Sequence, residues 1–373
     1  MTNRSDDLLP IGLSDRLPAE AAIATDAMRK VLDTMDAHGY DRVRPPLVEF
    51  ERSMAERMAS NGDSVSARRM FRFVDPASLR TLALRSDMTV QVGRIAATSL
   101  AASQRPLRLC YAGEVAAITA DQLDPARQRL QLGAEIIGTD TVAAAAEVVE
   151  LAIEALKGAG ATGVSVDFTL PDLVDTLAQS AMPLSDDQKS AVRRELDTKD
   201  AGGLKQAGGE AYLPLLYATG DFADAIERLR NIDAGGALAS RIEGLEAIAA
   251  RVSTQARVTL DPTERHGFEY QSWFGFTIYA EGVRGALGRG GTYSIRGTDE
   301  AATGFSLYLD RLIDALDETP KRDTVFLPLG YDVAAANRLR AIGWRTVAAL
   351  SEDDRAAALG CTHRLEGGEA VAL

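Results

Sequence analysis

The chain has 373 residues, of which 46% are hydrophobic and 25% are charged, an ordinary composition for a globular protein of two or three structural units. Its formal net charge is −13, because 54 acidic residues outnumber 41 lysines and arginines. This balance disfavours a broad electrostatic surface for nucleic acid, which requires many cations on one face.

The two cysteines, Cys110 and Cys361, stand outside any CxxC or Cys/His cluster. This spacing argues against a structural zinc site and against a disulfide. The first residues lack the apolar core of a signal peptide, and no apolar run of about 18 residues occurs that could span a bilayer. These features predict a cytoplasmic protein without a metal, a cofactor or a membrane association.

The first predicted element is an amphipathic helix over residues 17–38, with Ser14 or Asp15 as its cap. The segment GYDRVRPPLVEF follows and predicts a strand interrupted by Pro45 and Pro46, because proline cannot donate to a sheet ladder. Further elements follow in chain order: a hairpin over 70–85, a helix over 88–102, strands over 107–112 and 127–137, a helix over 139–160 capped by Thr or Asp and ended by glycine, and a strand over 163–170.

The pattern changes near residue 171 and becomes helical and poor in strands up to about residue 252, which indicates an inserted helical subdomain. Strands then resume, and the chain ends in a β-α-β tail: the predicted elements are strands over 257–261, 268–280 and 291–295, a strand running into a helix over 304–316, and the tail over 323–373. This order predicts an α+β fold on an antiparallel sheet. The segment GRGG at 288–291 is not a GxGxxG, and no GxxxxGK[ST] is present.

An ordered set of motifs carries a resemblance to a known family. The segments are GYDRVRPPLVE, LRSDMT, YAGEV followed by QRLQLGAEIIG, GFEY, GRGGTY and GFSLYLDRL. Together they resemble the catalytic domain of histidyl-tRNA synthetase over roughly 8–170 and 253–319. The resemblance implies a class II aminoacyl-tRNA synthetase-like antiparallel β-sheet flanked by helices. We therefore expect four segments: a core in two parts, 1–170 and 253–319, a helical insertion at 171–252, and a short C-terminal α/β segment at 320–373.

The same resemblance implies a pocket for histidine, formed by Asp87, Thr89, Gln131, Glu135, Tyr111 and Tyr270. Residues four apart in a strand share a face, so Gln131 and Glu135 would point the same way. A buried carboxylate requires a partner such as an ammonium or an imidazole N–H. Plainer interpretations stand beside this one: a helix start at Ser86 and Asp87, a solvated strand face, and tyrosines that only pack.

The segment GYDRVRPPLVE resembles the first class II motif, whose proline lies at a dimer interface. In this chain that proline is Pro46, and an ordinary edge-strand proline is the alternative.

Several positions depart from the synthetase pattern. Ala117 stands where an arginine would bind the α-phosphate of ATP, and His266 stands where a second catalytic arginine would lie. Gln271 replaces a tyrosine, and Tyr308 replaces a glycine that gives adenine room. Arg311 is kept, but we expect it to be structural and to pair with an acid such as Asp310 or Glu114. Loss of a cation that balances developing charge costs about 3–4 kcal/mol by analogy with lost oxyanion donors.

The segment after residue 320 has about 50 residues, is short for an anticodon-binding domain and is not obviously basic. With two cations, the adenine space and the tRNA module altered, the chain resembles the regulatory subunit of ATP phosphoribosyltransferase, including the ending LGCTHRLEGGEAVAL. That resemblance implies a non-catalytic subunit for the first step of histidine biosynthesis, with a separate short catalytic chain, a homodimer within a larger hetero-oligomer, L-histidine as the effector, and no tRNA.

Histidine could bind in the synthetase-like pocket or at a subunit boundary, and the sequence leaves both open. Two other functions are alternatives: an active histidyl-adenylate-forming enzyme that charges tRNA or a carrier, and an amino-acid sensor for another partner.

Overall fold

A computed structural model describes residues 8–58, 70–118, 125–180, 182–233, 235–265, 271–298, 300–316 and 323–373. The chain divides into two compact units, Met1–Leu316 and Asp317–Leu373. The predicted strand start at 268–270 lies outside the described residues, as do His266 and Tyr270.

The described helices of the larger unit account for the predicted helical segments. They are α1 (Pro18–Ala37), α2 (Glu51–Met58), α3 (Thr89–Ala97), α4 (Val142–Ala159), α5 (Leu173–Ala178), α6 (Asp186–Asp197), α7 (Ala201–Gln206), α8 (Phe222–Ile232), α9 (Ala239–Val252) and α10 (Asp310–Ala315). A 3-10 helix, Glu210–Tyr217, lies between α7 and α8. None of the helices within the described ranges is long and apolar enough to cross a membrane.

The described strands of the larger unit are β1 (Asp41–Arg42), β2 (Val48–Phe50), β3 (Arg72–Val74), β4 (Thr81–Leu84), β5 (Leu107–Ala116), β6 (Gln128–Ile137), β7 (Ser165–Thr169), β8 (Gly220–Asp221), β9 (Arg257–Leu260), β10 (Gln271–Tyr279), β11 (Gly288–Ser294) and β12 (Ala301–Tyr308). Nine of them form one sheet in the order β1-β5-β6-β12-β11-β10-β7-β9-β8. The β1–β5 and β7–β9 pairs are parallel, and the other pairs are antiparallel. The predicted α+β fold on a largely antiparallel sheet is confirmed.

Pro45 and Pro46 separate two strands that belong to different sheets. β1 pairs with β5 at the edge of the large sheet, whereas β2 joins β4 and β3 in a three-stranded sheet. The predicted hairpin over 70–85 is the β3–β4 pair of this small sheet. Two consecutive prolines lack the N–H groups that a continuous strand would donate, so the chain leaves one sheet and enters the other at this point.

Helices α1 and α4 pack beside the large sheet. The sequence predicted the ends of α4 correctly but not the cap of α1. For α1, the cap prediction was wrong: Leu17 occupies the N-cap position and makes no side-chain cap bond, while Pro18 begins the helix. For α4, Thr141 caps the helix by accepting from the Ala144 N–H, and Gly160 ends it with φ of 111°. Glycine suits that left-handed position because it has no Cβ.

The segment 171–252 forms α5 to α9 with the two-residue strand β8. Its buried side chains Val192 and Leu245 belong to the same hydrophobic cluster as Phe168 of β7 and Phe274 of β10. We therefore propose that the four predicted segments divide the sequence but not the core. The helices of the insertion pack into the same hydrophobic core as the large sheet.

Across its described residues, 323–373, the smaller unit contains the strands β13 (Thr324–Leu327), β14 (Arg345–Ala348), β15 (His363–Glu366) and β16 (Glu369–Ala372) and the helix α11 (Val333–Ala341). The strands form one sheet in the order β14-β13-β15-β16. Strands β13 (Thr324–Leu327) and β14 (Arg345–Ala348) are parallel and form the predicted β-α-β unit with α11. The terminal hairpin of β15 (His363–Glu366) and β16 (Glu369–Ala372) was not predicted from the sequence. Its Gly-Gly turn at 367–368, with both φ angles positive, is a two-residue hairpin signal.

Candidate functional site

The site lies on one face of the large sheet, where β5, β6, β12 and β11 run side by side. Glu135 of β6 pairs with Gly304 of β12, which in turn pairs with Gly291 of β11. Because side chains alternate along a strand, Gln131 and Glu135 share this face. Both are buried, with 0% and 1% of their surface exposed, so the alternative of a solvated strand face is wrong.

Two tyrosine hydroxyls hold the Glu135 carboxylate. The Tyr111 hydroxyl donates to Oε1 at 3.2 Å, and the Tyr293 hydroxyl donates to Oε2 at 2.8 Å. Burial raises the pKa of Glu135 to about 8; the hydrogen bond from Tyr293 acts against this shift, and the nearby charge of Asp87 adds to it. Glu135 therefore stays largely protonated at neutral pH unless a cation enters the site.

Three hydroxyl groups form a connected cluster beside Glu135. The Thr89 Oγ1 lies 3.0 Å from the Tyr111 hydroxyl and 3.3 Å from the Ser306 Oγ, and the last two oxygens are 3.0 Å apart. Burial, followed by the charge of Glu135, raises the pKa of Tyr111. Each hydroxyl can rotate to donate or accept, so the cluster can adjust to the protonation state of Glu135.

The Gln131 side chain links the large sheet to the start of α3 through hydrogen bonds. Its Nε2 donates to Asp87 Oδ1 at 2.7 Å and to Ser306 Oγ at 2.8 Å, while its Oε1 accepts from the Met88 N–H at 2.9 Å. Asp87 Oδ1 also accepts from the Thr89 N–H at 3.0 Å. The helix-start interpretation of Asp87 is thus compatible with the site, since the same carboxylate turns the chain into α3 and bonds Gln131.

A cavity of about 280 Å³, counted with its open mouth, lies over this network. Its lining combines a carboxylate, hydroxyls, an amide, a guanidinium and a glycine-rich surface: Thr89, Glu135, Gln271, Arg289, Gly290, Gly291, Tyr293, Gly304, Phe305 and Ser306. Close packing requires these glycines, because a Cβ at Gly304 would overlap Glu135 Oε2 and a Cβ at Gly291 would overlap the Phe274 carbonyl of β10.

The six predicted pocket residues take different places around this cavity. Thr89 and Glu135 line it directly. Asp87, Gln131 and Tyr111 lie behind the lining and hold it through hydrogen bonds. Tyr270 lies outside the described residues.

Arg289, Tyr293 and Ser306 line the cavity but were missed as site residues by sequence reasoning. Strand periodicity was the available signal, because Arg289, Gly291 and Tyr293 alternate onto one face of β11. Finding them required knowing that this face meets Glu135, which the strand order decides.

The guanidinium of Arg127, the residue directly before β6, lies beside the backbone of Ala117. The Ala117 N–H donates to the Arg127 carbonyl at 2.8 Å. The Arg127 guanidinium donates in return to the carbonyls of Ala117, at 3.3 Å, and Ile11, at 3.2 Å. It also lies 4.9 Å from the centroid of the Phe71 ring. This positive charge therefore has backbone and aromatic partners.

Tyr308 is half-buried and packs against the cluster that contains Tyr111. The Arg129 guanidinium carbon lies 5.8 Å from the centroid of its ring, and burial raises the pKa of its phenol. Arg311 donates to the Arg284 carbonyl at 2.9 Å, and its pairing with an acid stays a prediction.

Pro46 is exposed, and its carbonyl accepts from the Gln91 side chain at 2.8 Å, so its place in a dimer interface also stays a prediction. Within the described ranges, no group of three or more His, Cys, Asp or Glu side chains is arranged to hold a metal ion.

The fold and the buried carboxylate site together define a protein of the histidyl-tRNA synthetase class. The family model described as Histidyl-tRNA synthetase matches residues 12–312. A crystal structure from Bacillus halodurans, titled as an ATP phosphoribosyltransferase regulatory subunit/histidyl-tRNA synthetase, shares the fold with a TM-score of 0.80 at 23% identity, covering 96% of this chain and 97% of that one. Histidyl-tRNA synthetase from Nostoc does so with a TM-score of 0.76 at 16% identity, covering 95% and 90%.

Similar proteins of known name identify the family within this class to which the chain belongs. Proteins from Rhodospirillum centenum and Paramagnetospirillum magneticum, both named ATP phosphoribosyltransferase regulatory subunit, are 40% identical to this chain. The matches cover 97% and 96% of this chain, and 95% and 96% of the relatives. The chain belongs to the family of ATP phosphoribosyltransferase regulatory subunits, which confirms the family predicted from its motifs.

Proposed function

We propose that this chain is a non-catalytic subunit that binds a separate, short ATP phosphoribosyltransferase chain and makes the first step of histidine biosynthesis responsive to L-histidine. The observation that carries the proposal is the cavity over Glu135. It offers a carboxylate and hydroxyls for an ammonium group, and the Arg289 guanidinium for a carboxylate. The cavity thus contains a group of opposite charge for the ammonium and another for the carboxylate of an amino-acid zwitterion.

The high pKa of Glu135 gives the proposed binding a measurable signature. An ammonium group next to Glu135 favours its ionised form, so histidine binding should release a proton when the pH is below about 8. Affinity should then rise as the pH increases from about 7 towards the pKa of Glu135, because less of the binding free energy is used to remove that proton.

A calorimetric titration of the isolated chain with histidine tests this site. At a pH near 7.5, titrations in two buffers with different ionisation enthalpies give the number of protons released. We expect proton release in the wild-type chain and a large loss of both affinity and proton release in Glu135→Gln. Glu210, which is exposed, provides the matched control Glu210→Gln. Unchanged affinity in Glu135→Gln would instead place the effector at a subunit boundary.

The partner is tested by mixing this chain with a short ATP phosphoribosyltransferase chain. We expect the two chains to co-sediment as a hetero-oligomer that contains homodimers of this one, and histidine to inhibit the mixture. A coupling of about 1–3 kcal/mol between effector and catalytic activity would give roughly 5–150-fold control. Failure to associate, or inhibition that does not require this chain, would contradict the regulatory role.

If the chain is a non-catalytic subunit, it does not form histidyl-adenylate from histidine and ATP. The cation beside Ala117 belongs to Arg127, whose guanidinium already bonds two backbone carbonyls. We therefore expect no histidine-dependent exchange of pyrophosphate into ATP by the purified chain, and exchange at an enzymatic rate would overturn the proposal. The proposed role also implies no tRNA and a cytoplasmic location, where the free thiols of Cys110 and Cys361 stay reduced.

A further inference from the structure

A second cavity, of about 330 Å³ counted with its open mouth, lies next to the first one. It is lined by side chains of α2, the first half of α3 and the end of β11: Arg57, Thr89, Val90, Gly93, Tyr293, Ser294, Ile295 and Arg296. Thr89 and Tyr293 also line the first cavity, so they form the partition between the two. The residues on the far side of this partition have no role in the site described above.

Two guanidinium groups give the second cavity its charge. Arg57 comes from α2 and Arg296 follows β11. Across the ranges that the structure describes, neither forms an ion pair with a carboxylate. The cavity also borders the first turn of α3, where the helix dipole is positive. The Met88 N–H is already bonded to Gln131 and the Thr89 N–H to Asp87, so the two arginines supply the full positive charges that a ligand would meet.

The second cavity also has apolar lining residues. They are Val90, Gly93 and Ile295, and the Ile295 side chain lies 3.4 Å from the place that a Cβ at Gly93 would take. A ligand that fits would carry both negative charge and an apolar portion. Two full positive charges match a phosphate dianion better than a single carboxylate, and the planar guanidinium fork suits phosphate oxygens.

We propose that this second cavity binds a small phosphate-bearing organic compound. Its phosphoryl group lies at Arg57 and Arg296, and its apolar portion lies on Val90, Gly93 and Ile295. This site is separate from the amino-acid cavity and does not depend on the function proposed for Glu135.

Isothermal titration of the full chain tests the site, with AMP, inorganic pyrophosphate and inorganic phosphate as probes at equal ionic strength. We expect Arg57→Gln and Arg296→Gln each to weaken AMP binding by about tenfold or more, as for a lost charge-assisted hydrogen bond. Arg52→Gln is the matched control, because Arg52 lies on the same helix, is exposed and pairs with Glu56. Melting temperatures confirm that each variant is folded.

Two comparisons decide the result. AMP binding tighter than that of either inorganic probe supports a phosphate ester whose organic portion contacts the apolar lining residues. Equal affinity for AMP and inorganic phosphate would overturn that part of the proposal. Absence of binding at millimolar concentration, or affinities of both arginine variants within about twofold of the control, would overturn the site itself.

Discussion

At Glu135, burial and hydrogen bonding act in opposite directions on the pKa of the carboxyl group. Its surroundings supply two tyrosine hydroxyls, which favour the ionised form, yet burial dominates and moves the pKa to about 8. A carboxyl group in this state can respond to an incoming ammonium by losing its proton. The chemistry of the site thus depends on how deeply one side chain is buried, which no local motif encodes.

The stability of the protein should therefore depend on the protonation of Glu135. Its folded pKa of about 8 lies above an unfolded value of about 4.3. Between these values the folded state keeps a proton that the unfolded state releases, so raising the pH lowers the free energy of unfolding, by up to about 1.4 kcal/mol per pH unit. This loss ends above the folded pKa.

In Glu135→Gln that contribution disappears, so its unfolding free energy should fall less steeply between about pH 5.5 and 7.5. Denaturant unfolding followed by circular dichroism at several pH values measures the slopes, with Glu210→Gln as the control. Parallel slopes for wild type and Glu135→Gln would contradict the prediction.

Gly304 is the second residue whose identity the site requires. An added Cβ would overlap Glu135 Oε2, so Gly304→Ala should displace the carboxylate, cost about 1–3 kcal/mol of stability and weaken histidine binding. Gly158→Ala is the control, because Gly158 is an exposed residue of α4 where alanine favours the helix. Equal stability of the two variants would show that the sheet relaxes around the new methyl group.

At the scale of elements, a capping residue was predicted correctly where it directly precedes the first residue of the helix. Thr141 stands directly before α4, and its hydroxyl caps the helix. Ser14 and Asp15 stand before α1 but are too early, since the helix begins at Pro18 after Leu17. The proline fixes the first turn at its own position, which moves the start past both candidate caps.

The cap of α4 gives a prediction at this scale. Thr141→Ala should destabilise the protein by about 1 kcal/mol, because the Ala144 N–H loses its acceptor. Thr141→Ser keeps the hydroxyl and should stay close to wild type. Thermal unfolding of the three proteins measures the difference, and an equal loss in both variants would show that the methyl group of Thr141, not its oxygen, stabilises the helix.

At the scale of the whole molecule, the hydrophobic residues separate into the two compact units. Val325, Leu327, Leu339 and Leu365 form a cluster of the smaller unit, and the other clusters belong to the larger one. Unit boundaries of this kind usually mark parts of a chain that have their own core.

We therefore expect residues 1–316 to fold without the segment that follows. The shortened chain should unfold cooperatively and keep the histidine affinity of the full chain, since the residues that line both cavities lie within it. Calorimetric melting and titration of the two lengths check this. A shortened chain that aggregates or lacks a cooperative transition would show that the larger unit requires the smaller one.

The sequence by itself determined the class of fold, most elements and the two residues of β6 that build the site. Helical and strand periodicities, prolines, glycines and the order of motifs are local properties, so they can be read along the chain. Only the tertiary structure decided that β11 and β12 bring Arg289, Tyr293 and Ser306 to Glu135, and that Arg127, just before β6, bonds the Ala117 carbonyl. Such neighbours are set by strand order and register, which depend on the packing of the whole sheet and not on any short segment.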